Sequence, residues 1–84
     1  MAPITVYTTD RCARCVAAKA LLARRGLGYE EINLAKDPDG RAALLERTGM
    51  ATFPQILIGE QLIGGFDELR AADRAGRLSE LPAA

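Results

Sequence analysis

Residues 4–26 read Ile4-Thr5-Val6-Tyr7-Thr8-Thr9-Asp10-Arg11-Cys12-Ala13-Arg14-Cys15-Val16-Ala17-Ala18-Lys19-Ala20-Leu21-Leu22-Ala23-Arg24-Arg25-Gly26, and this stretch decides the fold. Residues 4–8 are β-branched and aromatic, the composition of a strand. Residues 9–11 are a polar turn. From Cys12 to Arg25 the chain is rich in Ala and Leu, and Cys15, Ala18, Leu21 and Leu22 recur on one helical face. Lys19 and Arg24 fall on the solvent side. Two basic residues and Gly26 close the segment as a helix C-terminus closes.

The pattern continues outward. Residues 29–34 predict a second strand, and Lys36-Asp37-Pro38-Asp39-Gly40 a turn cluster. Residues 41–48 predict a second helix with Leu44 and Leu45 facing inward, ended by Gly49. Residues 55–58 predict a third strand entered through Pro54. Gly59-Glu60 is a tight hairpin turn, and residues 61–63 return as a fourth strand. Gly64-Gly65 breaks the run. Residues 67–75 predict a last helix, N-capped near Phe66 or Asp67, with a short tail running through Pro82. The order βαβ then ββα implies an α/β fold. The first unit needs parallel strands, and the hairpin adds antiparallel ones. Helices then cover both faces of one four-stranded mixed sheet.

The 84 residues suffice for one domain, taken here as 1–84, and 49% are apolar, as in folded soluble chains. Eleven basic and eleven acidic residues cancel, which argues against a nucleic-acid partner. The balance is uneven: residues 9–28 carry five basic side chains against Asp10 alone. This is either a solvated helix face or an electropositive neighbourhood for the cysteines. The amino end lacks the basic start and apolar run of a signal peptide. No stretch approaches the roughly 18–20 apolar residues of a membrane span. A cytoplasmic location is expected, and lasting disulfides are rare there.

Cys12-Ala13-Arg14-Cys15 carries the chemistry. A C-x-x-C following a strand and opening a helix reads as a redox pair. Residues i and i+3 on a helix lie about 5–6 Å apart at Cβ, and a disulfide needs about 3.5–4.5 Å. A small adjustment in the first turn closes the gap. The helix start offers free backbone N–H groups and a positive dipole end to a Cys12 thiolate. Arg11 and Arg14 add cationic charge. Such surroundings lower a thiol pKa from about 8.5 to roughly 3.5–7.5. Reaching about 5.5 takes about 4 kcal/mol of thiolate stabilisation. Surface charge alone does not supply that, so the helix end must do most of it. Cys15, on the apolar face, is expected to stay a thiol and to resolve the mixed disulfide formed by Cys12. Four zinc ligands are lacking, since the chain has two cysteines and no histidine. A cysteine protease would need a base that is also lacking. Two inert core cysteines are the structural alternative, against which the helix-start position of Cys12 speaks.

The chain resembles the glutaredoxins of the thioredoxin fold. The likeness rests on Val6-Tyr7-Thr8 before the cysteine pair, on Thr52-Phe53-Pro54-Gln55, and on Ile63-Gly64-Gly65-Phe66-Asp67-Glu68-Leu69. It implies a dithiol oxidoreductase using Cys12 and Cys15, with glutathione as reducing co-substrate. Thr52-Phe53-Pro54 matches a segment whose proline is cis and whose backbone pairs with the cysteinyl part of glutathione like an added strand. Gly65, Phe66 and Asp67 match the segment that receives the γ-glutamyl end, with Asp67 on the amino group. Asp67 is equally suited to helix capping.

Departures from the family are specific. Ala13 and Arg14 stand where Pro and Tyr are usual, so an aromatic wall is missing and Arg14 offers a cation to a glutathione carboxylate. Thr9 stands where the family has lysine, and Arg11 or Arg14 is the expected substitute. Phe53 replaces a valine. The implied partners are glutathione and disulfide-containing or glutathionylated proteins, with the chain itself a monomer and no metal site of its own. Two further readings stay open. One is a small redoxin recharged by a thioredoxin reductase and serving ribonucleotide reductase, although Asp67 favours the glutathione-binding branch. The other is a dimer holding an iron–sulfur cluster through Cys12 of each subunit.

Overall fold

Strand β1 (Ile4–Thr8) alternates between buried and half-buried side chains, as a strand with both faces covered should. In this computed structural model, which describes residues 3–78, six further elements follow it. They are α1 (Ala13–Arg24), β2 (Glu30–Asn33), α2 (Pro38–Thr48), β3 (Gln55–Ile58), β4 (Gln61–Gly64) and α3 (Phe66–Arg74). The sheet runs in the order β2-β1-β3-β4. β1 pairs in parallel with β2 and antiparallel with β3, and β3 pairs antiparallel with β4. The mixed sheet read from the sequence is therefore the one that forms. The tail from residue 79 lies outside the described residues.

Ile4, Val6 and Ile56 on one face of the sheet pack with Ala18, Leu21 and Leu22 of α1 and with Leu69 and Ala72 of α3. Arg25 and Asp73 join the two helices at the rim through a two-pronged ion pair, Nε to Oδ1 at 2.7 Å and Nη2 to Oδ2 at 2.9 Å. Tyr7, Ile32 and Leu34 face the other way and share a hollow with Ala43 and Leu44 of α2.

Two helix starts and one inward-facing residue differ from the sequence reading. Helix α2 starts at Pro38, not residue 41, because Asp37 caps it by accepting the Gly40 N–H at 2.9 Å and Pro38 takes the first helical position. Leu45 does not face inward; it is 45% exposed, because the covered stripe of α2 is narrow and centred on Leu44. Helix α3 is capped at Gly65, one residue earlier than expected. The cap is the Glu68 carboxylate reaching back to the Gly65 N–H at 2.7 Å, with no contribution from a side chain at the cap position itself. The β3–β4 register slips between Ile56 and Leu57, and there the chain passes through Gly64 at φ 125°. A Cβ at Gly64 would come within 2.8 Å of the Glu68 side chain. The glycine is thus needed for both its backbone angle and the cap.

Candidate active site

The turn before α1 aims the first cysteine. Arg11 takes φ 55°, a left-handed conformation uncommon outside glycine, and turns the chain from β1 into the helix. Cys12 then becomes the N-cap, and its Sγ accepts the Cys15 N–H at 3.1 Å. The sulfur occupies the place of a capping oxygen at the positive end of the helix. Cys15 follows one turn on, 2% exposed, with its Cα 5.2 Å from that of Cys12. The two form a disulfide in this structure.

A second segment approaches from across the sheet. The Phe53–Pro54 peptide is cis, and the Phe53 carbonyl oxygen lies 3.8 Å from Cys12 Sγ. The loop carrying it is held by Gln55, a polar side chain only 1% exposed. Gln55 Nε2 donates to the carbonyls of Met50 (2.9 Å) and Thr52 (3.0 Å). Its Oε1 lies 2.8 Å from Thr48 Oγ1, whose own oxygen accepts the Met50 N–H at 3.1 Å. Each polar atom of the buried amide is thus satisfied, as a buried polar group requires.

A cavity of about 320 Å³ opens beside this loop. Arg14, Thr52, Phe53, Pro54, Gly65, Phe66 and Asp67, the residues that the resemblance assigns to glutathione, all line it, together with Met50 and Glu68. Its volume is at the lower end for small-ligand sites. Arg14 Nη2 lies 2.6 Å from Asp67 Oδ2, and its guanidinium sits 5.9 Å from the centre of the Phe66 ring. Arg70 approaches the same ring at 5.7 Å.

The two arginines expected near the thiolate are disposed differently. Arg14 is engaged by Asp67. Arg11 is exposed, and its guanidinium makes no ion pair or hydrogen bond among the described residues. The sequence alone assigns no role to Gln55, Thr48 or Glu68, which hold the loop and the helix cap. The signal for Gln55 was a polar residue opening an otherwise apolar strand.

Away from this site, Glu31 receives the buried Thr8 hydroxyl at 2.8 Å and Lys19 Nζ at 3.1 Å, which hold its carboxyl below its ordinary pKa. No helix among the described residues is long and apolar enough to cross a membrane.

The glutaredoxin family model matches residues 4–63. The chain is 46% identical over 81 residues to a glutaredoxin of Pseudomonas aeruginosa, covering 96% of each. It is 40% identical over 81 residues to glutaredoxin 3 of Escherichia coli K12, covering 96% of this chain and 98% of that one. Among solved structures it superposes on a glutaredoxin of Brucella melitensis with a TM-score of 0.85 at 43% identity, covering 99% and 90% of the two chains. A buckwheat glutaredoxin–glutathione complex also gives 0.85, at 35% identity over 94% of this chain and 74% of that one. With its cysteine pair at a helix start on a thioredoxin-like sheet, the chain belongs to the glutaredoxin family.

Proposed function

We propose that the protein is a glutathione-dependent thiol–disulfide oxidoreductase that reduces protein disulfides and glutathione mixed disulfides in a reducing, cytoplasmic compartment. The observation that carries this reading is Cys12 Sγ at the start of α1, accepting the Cys15 N–H and lying 3.8 Å from the carbonyl oxygen of Phe53, a residue that lines the cavity together with Asp67. The buckwheat relative was solved with glutathione, which supports the same co-substrate here.

The chemistry is thiol–disulfide exchange. On a glutathione mixed disulfide, the Cys12 thiolate attacks the glutathione sulfur. The old S–S bond breaks, the substrate leaves as a thiolate that takes up a proton, and a Cys12–glutathione disulfide forms. A second glutathione thiolate attacks that adduct at the glutathione sulfur, freeing Cys12 and leaving glutathione disulfide. On a protein disulfide, Cys12 forms a mixed disulfide with the substrate and Cys15 attacks the Cys12 sulfur. The substrate departs reduced, and the Cys12–Cys15 disulfide remains. Two glutathiones then reduce that disulfide. The Cys15 N–H and the helix end stabilise negative charge on Cys12 both when it attacks and when it leaves. In this reading the cavity takes the glutathione backbone along Thr52-Phe53-Pro54, and the γ-glutamyl amino group goes to Asp67.

A coupled assay tests the proposal. NADPH consumption on a mixed-disulfide substrate is expected with glutathione plus glutathione reductase, and little is expected with thioredoxin reductase alone. The reverse pattern would overturn glutathione dependence and favour the redoxin alternative.

A further inference from the structure

The Asp67 carboxylate already has a cation, Arg14, which is supplied by α1 from between the two cysteines. The pair spans α1 and α3, both members line the cavity, and both are open to solvent, with side chains 57% and 60% exposed. A ligand entering the cavity therefore meets a closed ion pair, not a free carboxylate. An ion pair this exposed is weak and exchanges readily.

Resting on the reading that Asp67 receives an amino group, we propose that Arg14 is a specificity residue that works by exchange of ion-pair partners. The incoming ammonium takes Asp67, and the released guanidinium takes a carboxylate on the same end of the ligand. Arginine suits the second half of the exchange, since its planar fork matches a carboxylate. The Phe66 ring, its centre 5.9 Å from the guanidinium, keeps the fork near the cavity when it leaves Asp67. A ligand end carrying ammonium and carboxylate on one carbon replaces one ion pair by two. An end with an ammonium alone leaves Arg14 without a partner. An end with a carboxylate alone must compete with Asp67 for Arg14. The site therefore selects a zwitterionic α-amino-acid end.

The test uses mixed disulfides of one small neutral thiol with glutathione, with its analogue lacking the γ-glutamyl α-carboxylate, and with its analogue acylated on the α-amino group. The values of kcat/KM are compared within each enzyme, so any change in Cys12 reactivity cancels from the ratios. In the wild type, removing the carboxylate is expected to lower kcat/KM about two- to fivefold, the upper part of the range for an exposed charge pair. In Arg14→Met that ratio is expected to collapse to within about 1.5-fold, with Arg14→Lys falling between the two. If Arg14→Met discriminates as the wild type does, the inference fails while the reading of Asp67 stands. If acylating the amino group leaves wild-type kcat/KM unchanged, the reading of Asp67 and the inference fall together.

Discussion

Replacing Gln55 by leucine removes the amide that holds the cis-proline loop and keeps nearly the same volume. The carbonyls of Met50 and Thr52 lose their donors, at 2.9 and 3.0 Å. Thr48 Oγ1 loses one acceptor but still has Leu44 O at 3.0 Å, so its share of the loss is small. Two hydrogen bonds at about 1 kcal/mol each, plus incomplete rescue of the carbonyls by water, give a loss of about 2–3 kcal/mol. For a domain of this size that is a fall in Tm of roughly 10–20 °C. The loop also sets the Phe53 carbonyl 3.8 Å from Cys12 Sγ, so loosening it is expected to lower kcat/KM at least about tenfold. Gln55→Glu isolates the electrostatics. Its shape is almost unchanged, but an ionised oxygen now faces two carbonyls where an NH₂ stood. Burial and those carbonyls raise the pKa of the new carboxyl, so the native state of this variant holds its proton longer than the unfolded chain does. Its stability is then best at low pH and falls as pH rises through about 4.3 toward neutrality. Urea unfolding at a series of pH values, with the mixed-disulfide assay alongside, measures both effects. A Gln55→Leu loss below about 0.5 kcal/mol with kcat/KM within twofold of wild type would refute the reasoning.

The ion pairs and caps give two more expectations. Glu31 is held below its ordinary pKa of 4.5 chiefly by the Thr8 hydroxyl and then by Lys19, so its contribution is present above that pH and lost as pH falls. Thr8→Val is therefore expected to cost about 1 kcal/mol at pH 7 and less near pH 3; a deficit independent of pH in urea unfolding would contradict this. Glu68→Ala removes the acceptor of the Gly65 N–H and is expected to destabilise by about 1 kcal/mol, with Glu68→Gln keeping part of it. Equal losses for the two variants would show that the cap bond is not what Glu68 supplies.

The sequence was most legible where chemistry is local. The β-branched and aromatic composition of residues 4–8 and the Ala/Leu spacing after Cys12 define β1 and α1 without reference to the rest of the chain, and the connections give the parallel pair and the antiparallel hairpin, while the strand order comes from the fold. Asp37 and Pro38 were misread as a turn although they are a helix cap and a first-turn proline, because both roles use the same residue types. Contacts between distant segments were not legible. Arg14 and Asp67 were each assigned to a ligand from their own motifs, and only the fold puts them on each other, 53 positions apart in the chain. Gln55 was hidden for a related reason. Its partners lie at the end of α2 and in the loop before β3, and no spacing rule says that such a loop folds back over its own strand.

The central claim is that Cys12, placed as the cap of α1, is the sulfur that carries glutathione. Intact-mass measurement on Cys15→Ser incubated with glutathione disulfide tests it most directly. The expected result is the mass gain of one glutathione, located at Cys12 by fragmentation and removed by further glutathione. Absence of an adduct, or equal uptake by Cys12→Ser with Cys15 intact, would contradict it.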